Sequence, residues 1–340
     1  MKGRPAGRNS GAGAAEGQRE AETLGFAVDV ADFDLLVLGD CNPDLMVTGD
    51  DLEPVFGQAE LLVDEARLVV GGSGSITACG AARLGLRTAF ISVVGDDVFG
   101  RFMLDALARR GVDVSGCVVD PERPTGLSVV LLRRGGTDRA ILTAPGTTAS
   151  LTVEAVDPDL IAAARHLHVS SYYLQEALRP DLSSLFDAGR AAGLTTSVDP
   201  NWDPADAWDG GLRGLLARSD VFLPNAAEAR RIAGGEPAAA ASALATDGAL
   251  VVVKVGEDGA LAALGDEVWS VPAPRVDTVD ATGAGDSFDA GFLAGFLAGW
   301  SVPRAAALGC ACGALSTRAL GGTAAQPTME EALAVLEAHP

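Results

Sequence analysis

The sequence contains no apolar run that approaches the roughly 18 residues needed for a membrane-spanning helix. Its hydrophobic content is nevertheless 48%, which is typical of a globular chain with an ample core. Basic residues are scarce, because 25 Lys and Arg stand against 46 Asp and Glu and the net charge is −21. This charge disfavours nucleic acid and anionic membranes as partners. An anionic substrate would need local positive potential from backbone N–H groups, a bound cation or a few basic side chains.

A disulfide framework is also lacking, because the chain has five cysteines at spacings that suggest no pairing. Such usage is typical of a reducing compartment and predicts a cytoplasmic protein. Cys310 and Cys312 lie in an alanine-rich helical run and are interpreted as core residues. His166 and His168 alternate on an apparent strand without an evident third ligand, so a metal site is not expected there.

Several familiar signatures are missing. The glycines at 71–74 precede a helix but do not complete GxGxxG, and no GxxxxGK[ST] loop occurs. No nucleophile with a partner base stands out. These absences disfavour a nicotinamide-dependent oxidoreductase, a P-loop enzyme and a triad hydrolase. Residues 1–30 lack both periodicity and the apolar segment of a secretory signal, so we expect a disordered tail before one folded domain at 31–340.

The stretch from Asp277 to Trp300 is the most informative part of the chain. Large apolar residues from Phe288 onward recur at intervals of three and four, which predicts a buried helix. The small residues Gly283-Ala284-Gly285 open this helix, and free N–H groups at such a start can hold an anion. Asp286 follows directly, where a carboxylate can accept the proton of a hydroxyl that attacks a phosphoryl group. The alternative is an ordinary glycine-rich turn with a favourable first-turn aspartate.

Strands and helices alternate along most of the chain, which predicts an α/β fold with a mostly parallel central sheet and helices on both faces. Polar clusters follow four of the predicted strands, at residues 40–44, 199–201, 225–228 and 254–256. Because α/β sheets bind ligands at the carboxyl ends of their strands, these clusters predict one ligand crevice. Asn42 and Asp44 are suited to a polyhydroxy substrate, although an Asn-Pro turn needs no ligand.

Two segments interrupt this alternation. Residues 125–133 and 139–143 predict a hairpin around 134–137, and a further strand is expected within 45–70. We expect lid strands from about 41–70 and 124–145 to leave the main sheet and form a small β-sheet. A lid that closes over substrate excludes water, which protects a kinase from wasteful hydrolysis of its donor. Exposed lid strands also predict a homodimer, because unpaired strand edges seek partners.

From about residue 33 to the end, the chain resembles the ribokinase-like (PfkB) family of carbohydrate kinases. The most specific match is Asp280-x-Thr282-Gly283-Ala284-Gly285-Asp286-Ser287-Phe288, which is similar to the second signature of the family. The resemblance implies a three-layer ribokinase-like fold and the cofactors ATP and Mg²⁺. It implies that Asp286 is the catalytic base and that the N–H groups from Gly283 to Asp286 form the anion hole. Some family members also bind a monovalent cation such as K⁺ near the positions of Asp280 and Thr282.

On the nucleotide side, the resemblance assigns roles to three further regions. Asn225-x-x-Glu228 is similar to the family motif that helps to place Mg²⁺ and phosphate through water. Lys254-x-Gly256-x-x-Gly259 resembles the strand and turn beside the nucleotide. Gly313 and the region from Ala314 to Gly322 resemble the loop on the adenine side.

On the sugar side, Asn42-x-Asp44 and Gly71-Gly72 match residues with which the family binds substrate hydroxyls. One position departs from the family pattern, because Ile76 and then Thr77 stand where an Asn usually contacts the sugar. An apolar side chain cannot replace the two hydrogen bonds of an amide. Either Thr77 compensates, or the substrate lacks a hydroxyl or carries an apolar group there. Tyr172 either stacks on the substrate ring or belongs to the core.

The sequence thus predicts an ATP-dependent kinase that phosphorylates a primary hydroxyl of a sugar or related polyol. A nucleoside kinase of the same family is the alternative, because Ile76 and the tyrosines allow a flatter and more aromatic pocket. A non-catalytic sugar-binding protein is a third interpretation, although it would not need Asp286, Asn225 and Glu228 together.

Overall fold

The computed structural model describes residues 31–57, 59–133 and 139–338. The predicted tail at 1–30 and the predicted hairpin turn at 134–137 lie outside the described residues. Within the described ranges, no helix combines the length and the apolar character needed to cross a bilayer.

An eight-stranded sheet lies at the centre of the molecule. Six neighbouring strands are parallel, and the two at one edge are antiparallel. In spatial order the strands are Glu267–Val271 (β14), Ala260–Leu264 (β13), Leu250–Lys254 (β12), Val221–Phe222 (β11), Thr195–Val198 (β10), His166–Val169 (β9), Leu35–Leu38 (β1) and Thr88–Ile91 (β4). The carboxyl ends of the parallel strands therefore form a single rim, as the sequence predicted for a ligand crevice.

Helices cover both faces of this sheet. In the described part of the chain the α-helices are Ser73–Arg83 (α1), Val98–Ala108 (α2), Pro158–Ala162 (α3), Leu182–Ala191 (α4), Leu212–Leu216 (α5), Ala226–Ala233 (α6), Pro237–Ala245 (α7), Ala284–Leu297 (α8), Val302–Ser316 (α9) and Met329–Ala338 (α10). Leu35 and Val37 of β1 belong to a core cluster with α1, α8 and α9. Leu36 and Leu38 belong to a second cluster with α4 to α7, because successive strand residues point to opposite faces.

A separate four-stranded sheet stands beside the rim and is called the small sheet. Its spatial order is Glu65–Gly71 (β3), Asn42–Gly49 (β2), Leu127–Arg133 (β7) and Arg139–Ala144 (β8). Strand β2 begins four residues after β1 ends, and β3 leads through Gly72 into α1. The amino end of β2 and the carboxyl end of β3 therefore lie where the small sheet meets the rim.

The structure confirms the predicted α/β fold with a mostly parallel central sheet and a separate small sheet. The apolar run over residues 88–94 predicts a single strand, but the structure divides it. Residues 88–91 form β4 in the central sheet, whereas Val93–Gly95 (β5) pairs with Val118–Asp120 (β6) outside it. The antiparallel strands β13 and β14 were not predicted from the sequence. Strand β13 has the sequence ALAAL, and alanine carries little β-propensity, so its strand conformation depends on pairing with the buried strand β12.

Candidate active site

The loop predicted to form the anion hole contains one position that only glycine can occupy. Gly283 has a φ of +73° and immediately precedes α8. A Cβ atom added there would lie 2.6 Å from Cα of Gly322, so no larger residue fits without displacing the main chain. No side chain caps the start of α8. The Ala284 N–H donates to the Ala281 carbonyl at 3.3 Å, so the N–H groups of Gly285 and Asp286 are the ones available to an anion.

Asp286 lies in the first turn of α8 and is half-buried. Burial raises the pKa of Asp286 to about 8, and repulsion from Asp199 and Asp40 adds to the increase. Lys254 and a hydrogen bond from Ser73 act in the opposite direction. Without a ligand, this carboxyl group therefore holds its proton at neutral pH. Additional positive charge nearby would convert it into a carboxylate base.

The predicted sugar-binding residues come together where the small sheet meets the rim. Nδ2 of Asn42 lies 3.4 Å from Oδ1 of Asp44 and 3.4 Å from Oγ of Ser128. Burial raises the pKa of Asp44 to about 7, with repulsion from Asp40 as the next cause. Gly71 pairs with Asn42 in the sheet, and a Cβ atom added at Gly71 would fall on the Asp44 carboxylate. The glycine therefore makes room for the acid.

A neighbouring polar network joins Asp40 and Asn201, which lie in the polar clusters predicted at 40–44 and 199–201, to two serines that were not selected from the sequence. The carboxylate of Asp40 accepts hydrogen bonds from the N–H groups of Ser73 and Gly74, each at 3.1 Å, and from the Ser171 hydroxyl at 2.9 Å. Nδ2 of Asn201 donates to Oγ of Ser171 at 3.0 Å and of Ser73 at 3.3 Å. Asp40 and Asn201 follow strand ends, which was the available signal. The contribution of Ser171, which adopts a φ of 57°, had no sequence signal.

A second part of the site is a cavity of about 520 Å³ that is lined in part by Gly285. Its lining includes six residues that the sequence assigned to the nucleotide or the anion hole: Lys254, Gly256, Gly259, Ala284, Gly285 and Gly313. Ala314 and Thr317, from the region assigned to the adenine side, also line it. Residues 273–276 and Thr278 line it as well, and they carried no recognisable motif. Gly259 has a φ of +103°, and a Cβ atom there would lie 2.6 Å from the main-chain nitrogen of Ala273. The turn can therefore pass close to the cavity wall only with glycine.

Comparisons with known proteins identify the family of the chain. The family model described as pfkB family carbohydrate kinase matches residues 32–329. The chain belongs to this family. A fructokinase from Klebsiella pneumoniae is 36% identical over 298 residues, which are 82% of this chain and 96% of that protein. A 2-dehydro-3-deoxygluconokinase from Bacillus subtilis is 34% identical over 284 residues, 79% of this chain and 87% of that protein.

Solved structures are similar to this carbohydrate kinase over most of its length. A candidate ribokinase II from E. coli, in complex with ATP and Mg²⁺, is 25% identical with a TM-score of 0.79, covering 90% of this chain and 100% of that one. An adenosine kinase from Sinorhizobium meliloti is 25% identical with a TM-score of 0.78, covering 91% and 100%. The predicted family, the ribokinase-like fold and the carbohydrate kinase class are therefore confirmed.

In this kinase, the Asn225 and Glu228 pair forms a capping box at the start of α6. The Asn225 side-chain oxygen accepts the N–H groups of Ala227 at 2.9 Å and Glu228 at 3.0 Å. The Glu228 carboxylate in turn accepts the Asn225 N–H at 2.8 Å and its side-chain amide at 2.5 Å. Burial raises the pKa of Glu228 to about 7, and repulsion from Asp199 contributes. The motif therefore has a structural role that stands independently of any metal.

Hydrogen bonds of Asp280 and Thr282 connect the predicted anion-hole loop of the kinase to its surroundings. One oxygen of Asp280 accepts the N–H of Thr282 at 2.9 Å and its hydroxyl at 2.7 Å, and the other accepts the N–H of Gly321 at 2.9 Å. Arg139 of β8 donates to the Thr282 hydroxyl at 2.9 Å. The small sheet therefore contacts the loop directly. Arg139 was not anticipated, because it lies at the edge of a segment that reads as a surface hairpin.

Two further residues that the sequence assigned to substrate are buried. Thr77 is fully buried, and its hydroxyl lies 3.5 Å from the main-chain oxygen of Asp286. Tyr172 is 1% exposed, donates its hydroxyl to the Gly210 carbonyl at 2.5 Å and packs edge-on against Tyr173. Their contact with substrate stays a prediction.

The two histidines of β9 are part of the core of the kinase. Nε2 of His166 and Nδ1 of His168 lie 2.6 and 2.8 Å from the same Ser197 hydroxyl. In the described part of the chain, no group of three or more His, Cys, Asp or Glu residues is arranged to hold a metal ion.

Proposed function

We propose that this kinase transfers a phosphoryl group from ATP to a primary hydroxyl of a sugar or related polyol. The observation that carries the proposal is that Asp286 lies between two parts of the site, the cavity and the polar rim. On one side Gly285, its chain neighbour, lines the large cavity, and on the other Ser73 and Asp40 connect Asp286 to the polar rim. A base at this junction can take a proton from an acceptor hydroxyl while the adjacent N–H groups hold the transferred group.

The residues of the rim orient the acceptor in this proposal. Asn42 and Asp44 hydrogen-bond hydroxyl groups of the sugar, and Gly71 allows the Asp44 carboxylate to reach them. Asp286 accepts the proton of the attacking hydroxyl. The N–H groups from Gly283 to Asp286 then stabilise the negative charge that gathers on the phosphoryl oxygens.

The cavity fits ATP, because its volume of about 520 Å³ lies within the usual range of small-molecule sites. The donor set near Glu228 fits Mg²⁺, because the ion is usually held by one or two carboxylates together with phosphate oxygens and water. Glu228 and Asn225 would hold it through water, since their side chains are engaged with each other. When bound, Mg²⁺ neutralises charge on the phosphates. Asp280 and Thr282 remain the proposed location of a K⁺ site.

The charge of the rim favours a neutral acceptor. Asp40 and Asp44 both face the sugar side, and Arg139 is the cation that acts on Asp44 among the described residues. A substrate carboxylate would add a further negative charge to this group. We therefore expect a neutral sugar such as fructose to be preferred over the acid named for the Bacillus subtilis relative.

The small sheet is proposed to act as a lid. Its strand β8 carries Arg139, which bonds to Thr282 next to the anion hole, while β2 and β3 carry the sugar-binding residues. Movement of the sheet would therefore change the acceptor site and the anion-hole loop together. Cytoplasmic location and the absence of nucleic-acid and membrane partners remain predictions from composition.

The proposal is tested by ADP release from Mg-ATP with a panel of acceptors, with and without K⁺. The panel contains fructose, ribose, other hexoses, inositols, 2-dehydro-3-deoxygluconate and adenosine. Turnover of a sugar above the others supports the proposal. Faster turnover of adenosine would replace it with a nucleoside kinase, and ATP binding without turnover of any acceptor would contradict it.

A further inference from the structure

A buried cluster of one lysine and two aspartates lies directly beneath the anion-hole loop and is called the Lys254 triad. Nζ of Lys254 lies 2.6 Å from Oδ2 of Asp199 and 3.0 and 3.1 Å from the two oxygens of Asp289. The three side chains are 11%, 7% and 1% exposed, respectively. Burying such charges costs free energy, and apolar residues of similar size often stabilise a core equally well. A contribution to stability alone therefore does not explain why these three charged groups are buried together.

The triad joins three elements that carry the proposed chemistry. Lys254 is the last residue of β12, and its main chain bridges to Asn225 at the start of α6. Asp289 lies on α8, three residues after Asp286 and therefore one turn further along the same face. A Cβ atom added at Gly285 would lie 3.6 Å from Nζ of Lys254. The ammonium group is thus next to the loop and linked to the helix turn that follows the base.

Charge balance within the triad is consistent with one fixed positive charge. Burial alone would lower the pKa of Lys254, but Asp199 and Asp289 raise it, so the lysine stays charged. Lys254 overcomes the effect of burial on Asp199 and lowers the pKa of that carboxyl group. Burial raises the pKa of Asp289 well above its ordinary value, and Lys254 acts in the opposite direction. Lys254 thus supplies one positive charge between two buried acidic side chains.

The choice of lysine is unusual for this chain. Its 25 basic residues include only two lysines, Lys2 and Lys254. An ammonium group is a compact point charge with three donors, whereas a guanidinium is a larger planar fork. At this position the chain departs from its usual arginine, and the donors of the ammonium group reach both Asp199 and Asp289.

We propose that Lys254 is a positioning residue for phosphoryl transfer, which holds the first turns of α8 through Asp289 and offsets negative charge around Asp286 and Glu228. This inference rests on the proposed function. It differs from the role in nucleotide binding implied by the family resemblance, because the ammonium group is occupied by two carboxylates. Removing Lys254 should therefore lower kcat and leave the KM for ATP nearly unchanged.

The test compares Lys254→Met with the charge-balanced double variant Lys254→Met/Asp199→Asn. The single variant leaves the Asp199 carboxylate buried without its cation, so its Tm falls. The double variant removes both charges and should recover most of the lost Tm. Its kcat should nevertheless stay on the order of tenfold to a hundredfold below wild type, as is typical when a supporting partner of an active-site group is lost. If the single variant fails to fold, the double variant still supplies the answer.

Arg165→Met is the control at the opposite end of the sheet, where Nη1 of Arg165 lies 3.3 Å from Oδ1 of the largely buried Asp34. Among the described residues, the Arg165 side chain otherwise reaches only the end of α8 that is remote from Asp286, through the Leu297 carbonyl at 3.2 Å. This variant should lose Tm with unchanged kcat. Recovery of wild-type kcat in the double variant would overturn the inference, as would a raised KM for ATP at unchanged kcat. A wild-type protein that turns over no acceptor would instead contradict the proposed function, so the two failures are distinguishable.

Discussion

Ile76 packs against Gly322 and Gly283, directly behind the proposed anion-hole loop. A Cβ atom added at Gly322 would lie 2.5 Å from Cδ1 of Ile76, and one added at Gly283 would lie 3.0 Å from Cγ2. Ile76 is 3% exposed, so its side chain fills the space between the two glycines. The apolar residue that departs from the family pattern therefore supports the loop from behind, and the loss of an amide there is accompanied by a gain in packing.

Replacing Ile76 with Asn should therefore weaken the protein rather than improve sugar binding. We expect Ile76→Asn to cost about 1–3 kcal/mol of stability, because a buried amide would lack hydrogen-bond partners. The kcat should fall as the loop loses its support. Thermal unfolding and ADP release measure both effects. The control Ile76→Val removes one methylene and should cost about 0.5–1.5 kcal/mol. Improved turnover of any sugar by Ile76→Asn would contradict this account.

Gly71→Ala should disturb the acceptor site selectively. The new methyl group would fall on the Asp44 carboxylate, so Asp44 must move away from the rim. We expect the KM for the sugar to rise by about tenfold or more, with the KM for ATP nearly unchanged. Gly214→Ala is the control, because a Cβ atom at Gly214 meets nothing within 4 Å. Equal sugar KM values in the two variants would show that Asp44 does not bind the acceptor.

Asp286→Asn should abolish most of the activity. The amide keeps the size of the side chain but cannot accept a proton, so we expect kcat to fall on the order of a hundredfold or more. Binding of ATP should change little, which calorimetry can measure. Asp187→Asn serves as control, because Asp187 is exposed and pairs with Arg218 on the surface. Wild-type turnover by Asp286→Asn would exclude this residue as the base.

The stability of the ligand-free protein should decrease as the pH rises through neutrality. Asp44, Glu228 and Asp286 have folded-state pKa values of about 7, 7 and 8, above their ordinary values. Between those ordinary values and the folded ones, the native state binds more protons than the unfolded chain, so raising the pH favours unfolding. We expect Tm to fall between about pH 5.5 and pH 8.5, and to fall less steeply in Asp44→Asn. An unchanged slope in that variant would show that Asp44 ionises normally.

The small sheet should mediate a homodimer. Strand β8 lies at the edge of this sheet, and Ile141 and Leu142 on it are 51% and 60% exposed. Contact with a second copy would cover these apolar residues and the open strand edge. We expect Leu142→Lys to shift the protein from dimer to monomer in light scattering. The control Val268→Lys, on edge strand β14 of the central sheet, should leave the dimer intact. A monomeric wild-type protein would contradict the prediction.

The elements with strong local patterns were the ones predicted well. The apolar spacing after Asp286 indicated α8, and the glycines before it indicated an open helix start. Strand β13 was missed, because its alanine-rich sequence becomes a strand only through its neighbour β12. The break between β4 and β5 was missed for a similar reason, because β5 pairs with β6, a strand that is distant from it in the sequence.

By itself, the sequence determined the family, the order of most elements and the local geometry around Gly283 and Asp286, because these depend on residues that are close together in the chain. Only the tertiary structure decided which distant side chains meet. Lys254 lies 55 residues from Asp199 and 35 from Asp289, and Arg139 lies 143 residues from Thr282. Burial and neighbouring charge, which set the pKa of Asp286, exist only after such segments have packed together.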